Sequence, residues 1–153
     1  MRALVITTAI VFGSLSASAE MLGRWKGDVE GIFDFPSSIG SGSCDLGQVE
    51  IRSKGSKAIE VYVALSCAVE GKPGFNMIPV AEVFTIKGDK LFTKEGHEVG
   101  ELGEDFLHLK AEGENYLEET TLTLTEKGLN YEFRFLDSLQ NTVDAVGLLK
   151  AEN

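Results

Sequence analysis

The sequence predicts an all-β fold, a single antiparallel up-and-down β-barrel of about 8–10 strands closed by one disulfide. Three observations carry this expectation. Apolar and polar residues alternate with period two through nearly the whole chain after Glu20, the pattern of strands buried on one face. Turn-forming residues recur about every 8–12 positions, a spacing that belongs to sandwiches and barrels. No run of useful length after Glu20 carries the apolar spacing of an amphipathic helix. Short sequential hairpins favour a meander, and closing a meander removes its exposed edges, which selects the barrel.

Residues 1–19 stand apart from this pattern. Arg2 precedes a short apolar run over residues 3–15, and Ala17-Ser18-Ala19 follows. This is the layout of a secretory signal peptide cleaved before Glu20. The run is shorter than the roughly 20 residues that cross a bilayer, and no Cys follows the cleavage point to take a lipid anchor. The expected domain is therefore residues 20–153, exported to the periplasm or secreted. Removing 19 of the 153 residues leaves 134, enough for one domain with a real core.

The elements follow in order. Met21, Gly23, Trp25, Gly27, Val29, Gly31 and Phe33 share one face of a first strand, and Leu22, Arg24, Lys26, Asp28 and Glu30 share the other. Glycines among the inward residues suit a tightly coiled barrel strand, where backbones bend or approach closely. Residues 34–43, with Pro36, four serines and two glycines, read as a loop. Strands are expected at 47–52 and 58–67, joined by a hairpin at 54–57. Their inward residues are Val49 and Ile51, then Ile59, Val61, Val63, Leu65 and Cys67. Residues 70–79 read as a second loop. The meander then runs through 80–87, a primed turn at Gly88 and Asp89, 90–94, 97–102, 105–112, 116–126, 129–136 and 142–150, with turns between them.

Cys44 and Cys67 are the two cysteines. In an exported chain a single pair reads as a structural disulfide. Without the signal peptide, 13 basic residues face 24 acidic ones, a net charge of −11. Such a surface repels phosphate backbones and anionic lipid, so nucleic acid is not an expected partner. No membrane span is expected either.

Catalytic chemistry finds little support. A nucleophile triad needs a base, His97 and His108 are the only histidines, and no Gly-x-Ser-x-Gly elbow precedes a serine. No enzyme activity is expected. His97, Glu98 and residues 105–108 could converge on a metal if their strands pair. However, His108 alternates with Leu107 and Leu109 and belongs on the outer face, and no metal or other cofactor is expected. Glu114, Glu118 and Glu119, with Glu101 and Glu104, read as a solvated acidic band without the carboxylate spacing of a calcium loop.

Trp25, Phe33, Val61, Val63, Phe75, Tyr131, Phe133 and Phe135 are the candidates to line an apolar ligand pocket, or equally to fill the core. Loops 34–43 and 70–79, with Phe33, Phe35, Phe75, Met77 and Ile78, are where a pocket mouth or a protein-partner surface is expected.

Gly23-Arg24-Trp25 opens the first strand, and a Gly-x-Trp at this point resembles the lipocalins and their calycin relatives. The resemblance implies a barrel whose Trp plugs the closed end and which holds a small apolar ligand. The lipocalin Thr-Asp-Tyr motif has no counterpart here, and residues 142–150 carry no Arg to pack on the Trp. Leu22-Gly23-Arg24-Trp25-Lys26-Gly27 is similar to the opening of nitrobindin-like haem barrels, which need a late-strand His, whereas the last His here is His108. Cys44 and Cys67 resemble the layout of periplasmic inhibitors of metalloproteases, which are Gly-x-Trp barrels with one disulfide. The leading expectation is an exported non-enzymatic protein holding a small apolar ligand. The alternatives are a protein-binding module such as an inhibitor of an exported enzyme, and a haem-binding barrel.

Overall fold

In the computed structural model, residues 20–69 and 75–152 are described. The expected signal peptide at 1–19 and residues 70–74 of the second loop lie outside them. Among the described residues ten strands form one closed antiparallel barrel: β1 (Gly23–Phe35), β2 (Gly40–Ser53), β3 (Ala58–Val69), β4 (Phe75–Lys87), β5 (Lys90–Phe92), β6 (Glu98–Leu102), β7 (Phe106–Gly113), β8 (Tyr116–Thr125), β9 (Gly128–Asp137) and β10 (Thr142–Ala151). Each strand pairs with the next, and β10 returns to β1, with Trp25 opposite Ala151 and Asp34 opposite Thr142. The predicted up-and-down barrel is what forms.

The interior is one apolar cluster built by the predicted alternation. Trp25, Phe33, Val49, Ile51, Val61, Val63, Leu107, Leu122, Leu129, Tyr131, Phe133 and Leu149 are all buried in it. At the end where the chain enters β1, the Trp25 indole N–H donates to the Met21 carbonyl at 3.0 Å, and Met21 is fully buried. Gly27 is a point of close approach between β1 and β10. A Cβ there would sit 2.6 Å from the Leu148 carbonyl oxygen and 3.0 Å from the Leu149 Cα. At the other end Cys44 and Cys67 face each other across β2 and β3 and form the predicted disulfide.

Both predicted loops are shorter than expected. Of residues 34–43, only 36–39 form a turn; Asp34 pairs with Ser41 and Phe33 with Gly42. The small residues there accommodate a neighbour: a Cβ on Gly42 would lie 2.6 Å from the Phe33 ring. The Ser41 hydroxyl also donates to the Asp34 carboxylate at 2.6 Å. At the second loop, β4 begins at Phe75, and Pro79 lies inside it. Proline lacks a ladder donor, and Pro79 falls at the irregularity where the pairing steps from Val63 opposite Val80 to Leu65 opposite Met77.

Candidate functional site

The barrel wall is incomplete on one side. β5 and β6 are only three and five residues long. Their connection is kept short by Gly96, whose φ of 90° is one that glycine adopts without steric cost, and whose N–H donates to the Thr93 carbonyl at 3.0 Å. β4 therefore pairs with β5 only through Thr85, Ile86 and Lys87, and β7 with β6 only through Leu107, His108 and Leu109. Beyond these pairs, β4 and β7 run on toward the disulfide end, and among the described residues no strand bridges them there.

This notch opens into a groove of about 600 Å³. Two core residues, Phe84 and Leu109, reach its floor, 4% and 5% exposed. Val80 and Glu82 come from β4, Glu98 and Val99 from β6, Lys110, Ala111 and Glu112 from β7, and Tyr116, Glu118 and Thr120 from β8. The surface is thus apolar at depth and acidic around it. Lys110 is engaged by Glu112 at 2.7 Å, and Glu98 lies 3.4 Å from Lys90. Glu118 has no hydrogen bond or ion pair among the described residues.

Register explains why Glu118 points inward. It lies opposite Ala111 on β7 and Phe135 on β9, while Thr120 lies opposite Leu109 and Phe133. Directly opposed residues share a face, and these partners face the core. Burial pushes the Glu118 carboxyl up to about 7, because desolvation disfavours the charged form. The Tyr131 hydroxyl is also pushed up, first by burial and then by the negative charge of Glu118. Thr120 Oγ1 and the Tyr131 hydroxyl are buried without a hydrogen-bond partner among the described residues.

The acidic band expected from the sequence is therefore divided. Glu119 faces out and lies 2.8 Å from His108 Nε2, and Glu101 pairs with Lys90. Glu118, its neighbour in sequence, faces in. Leu122 and Leu124 are apolar residues in phase with Glu118 and Thr120, and extending that phase back along β8 is the signal that would have found both.

Of the predicted pocket residues, Trp25, Phe33, Val61, Val63, Tyr131 and Phe133 lie together in the core, and Phe135 packs against it, stacked on Phe35 with ring centroids 6.4 Å apart. None of these lines the groove. Phe75 pairs with Cys67 through the backbone, and its side chain lies outside the described part. Met77 is partly buried against the core. His108 is on the outer face, as its alternation predicts. His97 is exposed and lines the groove. Among the described residues no group of three or more His, Cys, Asp or Glu could hold a metal ion, and no helix is long and apolar enough to cross a membrane.

The architecture is compatible with a calycin-like small barrel, whereas no protein-family model matches the chain and no curated protein matches it in sequence.

Proposed function

We propose that this protein is a non-enzymatic binding protein for a small, largely apolar molecule, and that it works outside the reducing cytoplasm. The observation that carries the reading is the notch between β4 and β7, where the core residues Phe84 and Leu109 become the floor of a groove of about 600 Å³. Wall openings of this kind, apolar at depth with a few polar groups, are where small molecules gain affinity by leaving water. Phe84 and Leu109 belong to the same core cluster as the aromatic residues Phe33, Tyr131 and Phe133. Both cysteines are held in the disulfide, a bond that persists in oxidising compartments and that leaves no described thiol for nucleophilic chemistry.

The test compares native and denaturing mass spectra of the protein purified from its own compartment. An extra mass of about one small ligand, lost on denaturation, supports the carrier. A bare native mass counts against it. One observation favours the second reading, a protein-binding module: Tyr116, Leu136 and Leu139 are 46%, 47% and 65% exposed at the disulfide end. Their loops are tied by the Ser138 N–H donating to the Asn115 carbonyl at 2.8 Å. Exposed aromatic and apolar side chains clustered at strand ends and an ordered loop are common in recognition surfaces, and a bare mass would direct the search to a protein partner there.

A further inference from the structure

We propose that the wall groove selects a cationic amphiphile, a molecule with an apolar body and one protonated amine, whose ammonium group is received by Glu118 and Thr120 while its body lies on Phe84 and Leu109. The inference rests on the small-ligand reading and adds the chemical class of the ligand.

Three independent features converge on it. The first is charge. Four carboxylates line the groove, those of Glu82, Glu98, Glu112 and Glu118, against two basic residues, the exposed His97 and Lys110, and Glu112 already engages Lys110 at 2.7 Å. Glu98 has its own cation in Lys90. Glu118 is the inward carboxylate, and its position opposite Ala111 and Phe135 gives it apolar neighbours and no basic one. A half-buried carboxylate in apolar surroundings gains most from a cation that brings its own hydrogen-bond donors.

The second feature is a hydroxyl. Thr120 is only 1% exposed, lines the groove, and has no hydrogen-bond partner among the described residues for its Oγ1. A buried hydroxyl without a partner costs free energy that a bound donor recovers. Thr120 stands two residues from Glu118 on the same face of β8, so one ammonium group, with three donors, can serve both oxygens.

The third feature is apolar area. Phe84 and Leu109 belong to the core cluster and reach the groove floor on the same side as Thr120, which lies directly opposite Leu109. An anion would meet Glu118 without compensation, and a neutral alcohol would leave its charge unpaired. The groove therefore distinguishes ligands by head group, with the apolar body supplying affinity common to all three.

The experiment titrates the folded protein by calorimetry with decylamine, decanol and decanoate, which share one chain and differ in head-group charge. It is run at about pH 8 and about 0.15 M salt, where screening limits the pull of the acidic surface to roughly 8 Å. The expected result is that decylamine binds at least about tenfold tighter than the other two, the scale of a hydrogen bond to a charged group. Glu118→Gln brings decylamine to the decanol level. Thr120→Val, which keeps the side-chain shape, lowers decylamine affinity at least about threefold and leaves decanol unchanged.

If the three probes bind alike, or if the amine preference survives in both variants, cation selection at Glu118 is overturned while the small-ligand reading stands. If none of the three binds, both fall together.

Discussion

Glu118 should make the barrel less stable as pH rises through neutrality, and Glu118→Gln should remove that dependence. An ordinary glutamate ionises near 4.5, and burial raises this one to about 7 in the folded chain. Below 4.5 both folded and unfolded chains hold the proton. Between 4.5 and about 7 the folded chain holds it and the unfolded chain does not, so each increment of pH favours unfolding. Stability from this group is thus fully present below 4.5 and lost as pH passes about 7. The full shift corresponds to about 3 kcal/mol at most. The carboxyl is half exposed, and solvent screening reduces the figure to about 1–2 kcal/mol. Glu50 and Asp137 have lowered values and act with the opposite sign at lower pH, but both are present in wild type and variant and cancel in the difference. The assay is urea denaturation between about pH 4.5 and 8, followed by the fluorescence of Trp25, the single tryptophan, buried at the far end from the groove. Near the acidic limit the two proteins should differ little; at pH 8 the variant should be more stable by about 1–2 kcal/mol. Parallel stability curves across this range would refute the inward, desolvated placement of Glu118.

Two further outcomes follow from the framework. Replacing Cys44 and Cys67 together by alanine should cost about 3 kcal/mol, because their bond closes a loop spanning 23 positions of sequence. Urea denaturation under non-reducing conditions measures this, and a loss below about 1 kcal/mol would mean that the unfolded chain gains little freedom. Gly27→Ala should destabilise by about 1–3 kcal/mol, since the added Cβ meets backbone atoms of Leu148 and Leu149 at 2.6 and 3.0 Å; a thermal melt unchanged from wild type would show that the β1–β10 seam can open to admit a methyl group.

The strands were legible because a barrel with one buried face writes period two into its sequence. Trp25, Val29 and Phe33, or Leu129, Tyr131 and Phe133, needed no further context. The disulfide was legible from cysteine count and the expected compartment. The apolar signal failed where small residues are needed: Gly42 sits in a strand because Phe33 occupies the space above it, and composition alone makes such a stretch resemble a loop. Pro79 misled for a related reason, since an irregular step in the ladder accepts it. The groove was the least legible part. The short strands around residues 90–94 and 97–102 were visible, but the overrun of β4 and β7 beyond them depends on pairing between distant segments. Glu118 was hidden by its acidic neighbours, although its phase with Leu122 assigned it to the interior.

The seam between β1 and β10 has a consequence for how the molecule comes into being. The first and last strands are partners, so the sheet has two open edges, β1 and β10, until these two strands pair. Those edges are 13 and 10 residues long, and their outward faces include Ile32 and Val146, 67% and 52% exposed. An open edge of that length is a template for another chain, and pairings so distant in sequence form slowly. The disulfide fastens β2 to β3 and cannot hasten the closure. Assembly therefore carries its greatest risk at the last step, when a β10 from a second copy can take the place of the chain's own and exchange strands between two barrels.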